Sequence, residues 1–483
     1  MAATLVTQIG LPRSGMYRNI LGALEIIGRK LGYGLDTAVS GASNLFFNAE
    51  QGAWYDPSDF STLFQDSAGT TPVTAVEQPV GKILDKSGRG NHATQSTAAS
   101  RPVLSARVSL LTYSEDFSNA AWTKANATVT ANSVVAPDGT TTADTLLETA
   151  VNSFHNVSLS YTGGNVAYTY SVCLKASGRT QAVVAMSDLI TGDASIKVDL
   201  TTGVLTSTGL AVGSWTGISS SVSSDASGFF RVTISGIRGA GTTTAIRVSV
   251  LNDGGSTSYL GDITKGICIW GADLRVANTG ANLPAYQRVN TATDYDTVGF
   301  PHYLKFDGID DSLSTASIDF TSTDKMTVFA GVRKLSDAAV GTILELSANS
   351  STTAGSMALF GPRSNGITKY GIHLNGSTAN ERATDTAFAA PITSVLVASF
   401  DIAATTELSL RVSRVAQALS VVLSSGDAGT GNLGNHTLYV GSRGGTTLPF
   451  NGHLYSLIIR GAQSTVSQIA AAESYVNSKT GAY

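Results

Sequence analysis

The chain has 483 residues, of which 42% are hydrophobic and 14% are charged, with 50 glycines. A prior of about 150 residues per domain indicates roughly three units, and low charge with high glycine content is typical of many short strands and tight turns. The net charge of -4 offers no basic field for nucleic acid. No apolar run reaches the roughly 18 residues that a membrane-spanning helix needs. Nucleic-acid binding and membrane insertion are therefore not expected.

The chain opens without the charged and then apolar pattern of a signal peptide, so we expect synthesis and assembly in a cytosol. Cys173 and Cys268 each fall on an alternating run. Buried thiols are the expected state of such cysteines, ahead of a disulfide.

Residues 1–48 differ from the rest of the chain. Apolar residues recur there at three- and four-residue steps, which predicts one amphipathic helix over residues 14–31. Gly32, Gly34 and Gly41 then interrupt the pattern. Two interpretations stay open: a terminal helix lying on its own domain, or a peg for docking or oligomerisation.

From Gly52 onward short strand-like runs follow one another at even spacing, with turn residues between them, which predicts an all-β protein. Residues 49–104 form a first group of strands, and residues 105–277 form a second group that reads as a separate β-sandwich. Residues 278–298 form a polar linker. Residues 299–483 return to strands, and the last of these, over residues 452–460, is apolar at nearly every position and should be central in its sheet.

The chain is expected to end in a helix. Thr465 and Gln468 have the spacing of a capping box, and Gly481 has the position of a C-terminal cap. The apolar stripe of this helix is predicted to consist of Val466, Ile469, Ala472 and Val476.

Residues 303–314 organise the whole chain. Leu304 and Phe306 alternate with polar neighbours as in a half-buried strand, and Asp307-Gly308 supplies a tight turn. This stretch reads as the continuation of the unit that opens near Trp54. The predicted fold is therefore all-β, with two β-sandwich or jelly-roll domains, the second inserted in the first, a short N-terminal helical segment and a C-terminal helix.

The motifs of the split unit resemble the laminin-G-like jelly rolls of the concanavalin A-like lectin superfamily, in the form found in structural proteins of tailed bacteriophages. They are, in order, W-Y-D-P-S-D (54–59), L-D-K-S-G-R-G-N-H-A-T-Q (84–95), F-D-G-I-D-D-S-L (306–313), L-Y-V-G-S-R-G-G (438–445) and G-H-L-Y-S-L-I-I-R-G-A (452–462).

The inserted unit resembles the carbohydrate-binding-module-like sandwich of phage tail and head fibres. The motifs that carry this resemblance are L-L-T-Y-S-E-D-F-S-N-A-A-W-T-K (110–124), A-P-D-G-T-T-T-A-D-T-L (136–146) and G-I-C-I-W-G-A-D-L (266–274). Residues 1–48 match no family. The two resemblances imply a virion structural protein, a tail fibre or receptor-binding protein that adheres to a host surface glycan or protein. They also imply a homotrimer that contacts other tail or baseplate proteins. The alternatives are a capsid-decorating head fibre protein and a polysaccharide depolymerase.

Catalysis is not expected from the sequence. Some relatives of the lectin-like fold hydrolyse polysaccharides with Glu-x-Asp-x-Glu, which places two carboxylates on one strand face. The chain has nine glutamates, and none is followed two residues later by aspartate.

Two acidic stretches are candidate calcium ligands, because hard cations take oxygen ligands from acidic, turn-rich loops. Asp85 and Asn91 lie in the first stretch, and Asp307, Asp310 and Asp311 form the second. The alternative is that these side chains hydrogen-bond to the backbone of their own turns. Calcium is thus a hypothesis.

Sugar binding needs an exposed aromatic ring beside hydrogen-bonding side chains. The candidates in the inserted unit are Trp122, Trp215 and Tyr161, and packing in the core is the alternative for each, because tryptophan is highly buried on average. Trp54 and Trp270 are expected in the core.

Overall fold

The computed structural model describes residues 42–188, 192–211, 213–241, 243–276, 285–422 and 426–483. The helix predicted over residues 14–31 lies outside these ranges. Strands dominate the described chain, which forms four antiparallel sheets and ends in one α-helix, α1 (Val466–Thr480). Among the described helices, none has the length and apolar character needed to cross a membrane.

The strands of the first and last parts of the chain form one unit, called the outer sandwich. Those before the insertion are β1 (Gly52–Tyr55), β2 (Leu63–Phe64), β3 (Lys82–Ile83), β4 (Ala93–Thr94) and β5 (Val103–Ser105). Those after it are β19 (Tyr303–Asp307), β20 (Leu313–Asp319), β21 (Lys325–Lys334), β22 (Thr342–Leu346), β23 (Ser356–Phe360), β24 (Gly371–Asn375), β25 (Ala379–Thr384), β26 (Ile392–Asp401), β27 (Leu408–Val412), β28 (Val415–Ala416), β29 (Leu419–Val421), β30 (Asn435–Val440) and β31 (Asn451–Arg460).

The strands between these two groups form the inserted sandwich. They are β6 (Thr123–Ala125), β7 (Ala127–Val134), β8 (Ala143–Glu148), β9 (Asn152–Thr162), β10 (Ala167–Ser177), β11 (Gln181–Ser187), β12 (Asp193–Asp199), β13 (Leu205–Ala211), β14 (Thr216–Ser224), β15 (Phe230–Ile237), β16 (Thr243–Leu251), β17 (Ser258–Leu260) and β18 (Gly266–Val276).

The outer sandwich consists of an eight-stranded and a ten-stranded sheet. The first has the order β28-β27-β26-β21-β31-β19-β5, with β1 also paired to β31, and the second has the order β2-β3-β4-β20-β30-β22-β23-β24-β25-β29. Strand β31 lies inside its sheet, between β21 and β19, as its continuous apolar character predicts. Both sheets combine strands from before and after the insertion.

One hydrophobic core fills the space between these two sheets. It contains Tyr55 and Leu104 from the first part of the chain together with Phe306 and Leu457 from the last part. In β19, Leu304 and Phe306 are buried while Lys305 and Asp307 are exposed, which is the predicted alternation. The nested all-β fold class is thus confirmed.

The inserted sandwich packs a six-stranded sheet, β14-β15-β10-β18-β8-β7, on a seven-stranded one, β13-β12-β11-β16-β9-β17, in which β6 also pairs with β9. Its core is separate and includes Val172, Val184 and Ile269. Cys173 and Cys268 are buried free thiols, as expected.

The two ends of the insertion meet at one edge of the eight-stranded sheet. Ser105 lies directly opposite Tyr303 in the β5–β19 pair, so the chain leaves and re-enters the outer sandwich on neighbouring strands. The returning chain packs at the same place, where Val289 and Tyr295 form a small apolar cluster with Ala106. The Tyr295 hydroxyl donates to Glu77 at 2.9 Å.

Helix α1 covers the outer side of the eight-stranded sheet. Thr465 and Gln468 form the predicted capping box, and Gly481 ends the helix with a left-handed φ of 59°. Ala472 and Val476 are buried against the sheet. The predicted stripe is wrong at Val466, which is 85% exposed, because the buried residues of this helix begin only at Ala472.

Candidate functional site

A single row of side chains crosses nine strands of the ten-stranded sheet. Each member lies directly opposite the next across an antiparallel pair, so all of them project from one face. With strands about 4.8 Å apart, the row spans roughly 38 Å. In order across the sheet, this Tyr439 row consists of Phe64, Lys82, Thr94, Ser314, Tyr439, Glu345, Ala358, His373 and Glu381.

The Tyr439 row lies on the face that points away from the other sheet. Successive residues of a strand alternate between the two faces. The chain neighbours of the row, such as Ile83, Leu313, Leu438 and Ile372, belong to the core between the sheets. The row is therefore the outer face of the outer sandwich.

Half of the row is open to solvent. Phe64, Lys82, Thr94, Ser314 and Tyr439 are all half-buried. This half combines two aromatic rings, two hydroxyl-bearing side chains and one ammonium group on one face of the sheet. Such a mixture can stack against the apolar face of a pyranose and hydrogen-bond to its hydroxyls.

A glycine beside Tyr439 leaves the tyrosine ring uncovered on that side. Gly445 has a φ of 81°, and a Cβ at this position would lie 3.6 Å from the Tyr439 ring. A larger residue would thus be strained and would partly cover the ring. Next to it, Gln95 donates to the Ser312 hydroxyl at 2.9 Å, and that hydroxyl donates to the Gly445 carbonyl at 3.2 Å. These bonds hold the edge of the open half in place.

The other half of the row is covered by two arginines. Arg443 Nε lies 3.1 and 2.9 Å from the two carboxylate oxygens of Glu345. At the far end of the row, Arg363 contacts one carboxylate oxygen of Glu381 through both Nε and Nη2. The Phe360 ring lies under both guanidinium groups, 5.0 Å from Arg363 and 5.7 Å from Arg443. Glu345 and Glu381 are therefore buried but neutralised.

His373 links the two covered glutamates. Its Nδ1 lies 3.1 Å from Glu381 and its Nε2 lies 3.0 Å from the Ser350 carbonyl, while the Ser350 amide donates to Glu345. Each ring nitrogen of His373 thus lies within hydrogen-bonding distance of an oxygen atom. Burial opposes ionisation of Glu381, but hydrogen bonds from His373 and Arg363 outweigh it and keep the pKa of its carboxyl below the usual value.

This pattern of charges is suited to structure more than to acid-base chemistry. A carboxyl that acts as a general acid needs a raised pKa, whereas the pKa of Glu381 is lowered. Glu345 and His373 are fully buried. The covered half therefore has a structural role and supports the strands that carry the open half.

Two of the three predicted sugar-binding aromatics are placed elsewhere by the fold. Trp122 and Trp215 are 1% and 2% exposed and belong to the core of the inserted sandwich. Trp122 packs on Phe117 with ring centroids 4.6 Å apart and donates Nε1–H to the Tyr113 carbonyl at 2.9 Å. Neither indole has a face free for a sugar, so these two predictions are wrong.

Tyr161 differs from the two tryptophans because it is half-buried. Its ring makes an edge contact with Tyr168 at 6.2 Å and lies beside Gly163. Its role in sugar binding stays a prediction. Trp54 and Trp270 are buried, as expected.

The proposed calcium ligands of the first acidic stretch form hydrogen bonds with other groups of the protein. Asp85 accepts the backbone N–H groups of Trp54, Ser87 and Asn91, at 2.9, 2.8 and 3.0 Å, and also the Ser87 hydroxyl at 2.8 Å. The Asn91 amide donates to Gln51 and to the Gly52 carbonyl. Asp85 and Asn91 therefore tie β1 to its neighbouring loop, which is the alternative role expected for them, and calcium binding by this pair stays a prediction.

The second acidic stretch does converge. One oxygen from each of Asp307, Asp310 and Asp311 lies within 4.8 Å of the others in the turn between β19 and β20. Burial, and after it the negative charge of Asp307, raises the pKa of Asp311 to about 7. Oxygen atoms are the ligands that calcium prefers, so the donor set is compatible with this ion.

Sequence reasoning did not find the Tyr439 row. Tyr439 lies within the quoted motif of residues 438–445, and its alternation with Leu438 and Val440 could have assigned it to the outer face. Its alignment with Ser314 and Glu345 depends on strand pairings between distant parts of the chain. The register between such distant strands cannot be predicted from any contiguous stretch of sequence.

No family model and no curated protein matches the chain. Among solved structures, the chain is similar to the CBM40 of the Ruminococcus gnavus IT-sialidase bound to α2,3-sialyllactose, with 13% identity over 33% of this chain and 97% of that one and a TM-score of 0.26. It is also similar to domains LG4-5 of the mouse laminin α1 chain, with 13% identity over 66% of this chain and 90% of that one and a TM-score of 0.27. For the native heptameric SAP-like pentraxin from Limulus polyphemus, identity is 11% over 36% and 80% of the two chains, with a TM-score of 0.26. These similarities are too distant to transfer any residue's role to this chain.

Proposed function

We propose that this chain is an adhesion protein that binds a glycan through the open half of the Tyr439 row. The observation that carries the proposal is the alignment of Phe64, Lys82, Thr94, Ser314 and Tyr439 on one solvent-facing surface. A row of aromatic, hydroxyl and ammonium groups suits an extended saccharide chain, which offers both apolar faces and hydroxyl groups.

Binding is proposed to be non-covalent and without catalysis. Glu345 and Glu381, the two carboxylates of the row, are each paired with an arginine. The pKa of Glu381 is lowered, not raised as a general acid requires, and both carboxylates are buried without a free approach for a sugar ring.

We further propose a biological setting, which rests on the motif resemblances described above. The protein would be a bacteriophage virion component, a tail fibre or receptor-binding protein located in the tail and assembled in the bacterial host cytoplasm. Residues 1–48 would attach it to tail or baseplate proteins, residues 49–104 and 299–483 would form the lectin-like unit, residues 105–277 the inserted module and residues 278–298 the linker. A homotrimer would raise avidity for a host surface glycan or protein by about 100-fold or more.

Two alternative functions use the same modules. A head fibre would decorate the capsid, and immunogold labelling of virions at the C-terminus distinguishes the two, since label on the shell favours the head. A polysaccharide depolymerase would release new reducing ends from host polysaccharide. A clear yield of such ends would replace adhesion as the main activity.

The direct test compares binding of the wild-type protein and Tyr439→Ala to purified host surface polysaccharide, measured by surface plasmon resonance. Loss of stacking on one aromatic ring typically costs about 1 kcal/mol, so we expect the affinity to fall several-fold. Tyr483→Ala is the matched control, because Tyr483 is 41% exposed at the C-terminal end, beyond α1. Equal binding by all three proteins would refute the proposed surface.

A further inference from the structure

A polar cleft of about 310 Å³ opens at the edge of the outer sandwich, apart from the Tyr439 row. It lies where β27 of the eight-stranded sheet meets β25 and β29 of the ten-stranded sheet. Side chains of both charges and several hydroxyl groups line it, among them Arg382, Thr405, Thr406, Glu407, Gln417 and Leu419. Its volume lies at the lower end of the range for small-molecule sites.

Arg382 brings a positive charge to the inner side of the sandwich. It lies directly opposite Ile372, which belongs to the core, so its side chain starts from the face between the sheets. Its Nη2 donates to the Gly426 carbonyl at 3.0 Å, which fixes one side of the guanidinium. It takes part in no ion pair among the described residues. A guanidinium held in this way can bind a carboxylate with two parallel hydrogen bonds.

Glu407 brings a negative charge to the same cleft. Its Oε2 accepts the Asn380 amide at 2.6 Å and the Ala428 N–H at 2.8 Å. These bonds hold the carboxylate in place, while Oε1 has no hydrogen-bond donor among the described residues. Glu407 forms no ion pair with the described chain either. Its second oxygen is therefore available to accept a ligand hydroxyl.

We propose that this cleft binds one carboxylate-bearing sugar unit, a hexuronic or nonulosonic acid. The sugar carboxylate pairs with Arg382, a ring hydroxyl donates to Glu407, and Leu419 contacts the apolar ring face. Thr405, Thr406 and Gln417 supply the remaining polar partners. The sugar thus satisfies two partly buried charges that the protein leaves without ionic partners. The cleft and the Tyr439 row lie on different faces, so either site can bind without the other.

The test uses the full chain and ligand-observed NMR titration with three probes: methyl glucuronide, N-acetylneuraminic acid and the neutral methyl glucoside. We expect at least one acid to bind in the millimolar range and the glucoside to bind at least about tenfold more weakly. Arg382→Gln should weaken binding of that acid by about tenfold or more. Thr406→Trp should abolish binding by filling the cleft from an exposed loop position. Lys305→Gln, which removes an exposed charge on β19, should have no effect.

Thermal unfolding of each variant separates loss of the site from loss of the fold. Tyr439→Ala should leave binding in the cleft unchanged, so failure here and failure of the proposed adhesion surface are distinguishable. The inference is overturned if neither acid binds, if the glucoside binds as tightly as the acids, or if folded Arg382→Gln and Thr406→Trp proteins bind like the wild type.

Discussion

Asp311→Asn should make the outer sandwich more stable at neutral pH. Asp311 is 7% exposed and shares its turn with Asp307 and Asp310. Burial, together with the charge of Asp307, raises the pKa of Asp311 from 3.8 to about 7. The folded chain therefore holds a proton that the unfolded chain releases between these two values, and stability must fall as the pH rises across this interval.

The size of the effect follows from the pKa shift. A pKa shift of about 3 units corresponds to roughly 4 kcal/mol of folding stability, at about 1.4 kcal/mol per unit. This loss of stability, caused by ionising Asp311 in the folded chain, is complete above about pH 7. Asparagine has the same shape and no charge, and its side-chain oxygen can still accept the Asp307 N–H that Asp311 accepts at 3.0 Å. The free energy of unfolding of the variant should thus exceed that of the wild type by up to about 4 kcal/mol at about pH 8. Below about pH 4 the two values should be equal.

Differential scanning calorimetry between these two pH values is a suitable assay. The chain contains two sandwiches, so the melting temperature of the transition that responds to the substitution is the quantity to compare. Asp319→Asn is the control: hydrogen bonds from the Thr321 hydroxyl and backbone N–H lower the pKa of this exposed carboxyl. Replacing Asp319 by asparagine should lower the melting temperature slightly at neutral pH. Parallel melting profiles for wild type and Asp311→Asn would refute the reasoning.

Three further predictions concern other parts of the molecule. If the acidic turn binds calcium, millimolar CaCl₂ should raise the melting temperature of the wild type at pH 8 but not that of Asp311→Asn; no response to calcium or to a chelator would rule the ion out. Glu381→Gln should lower the free energy of unfolding by about 3 kcal/mol, because it removes the anion that pairs with the half-buried Arg363 and the buried His373; an unchanged denaturant midpoint would contradict this. Replacing residues 107–301 by a short glycine-rich turn should leave a folded outer sandwich with a cooperative thermal transition, because Ser105 and Tyr303 are already neighbours; an unfolded product would show that the insertion is needed for folding.

The fold could be predicted in outline because its signals are local. Alternation in residues 303–307, the capping box at Thr465 and the apolar run of β31 each depend on side chains a few residues apart. Those signals specify strands, turns and a helix, and the order of the motifs indicates the nesting. The sugar-binding predictions failed where the solvent exposure of a side chain decides whether it can bind a ligand. Trp122 and Trp215 were candidates for sugar binding because of their type, but burial in the inserted core removes them from the surface.

The sequence by itself determined the strand pattern, the order of the units and the acidic turn at residues 307–311, because these features need only contiguous residues. Tertiary structure alone decided which side chains meet. Tyr439, Ser314 and Thr94 come together through hydrogen-bond register across strands from both ends of the chain. Arg382 and Glu407 share a cleft because strands of the two sheets meet at one edge of the outer sandwich. Both arrangements depend on how strands pair and pack, and packing of this kind joins residues that no local pattern relates.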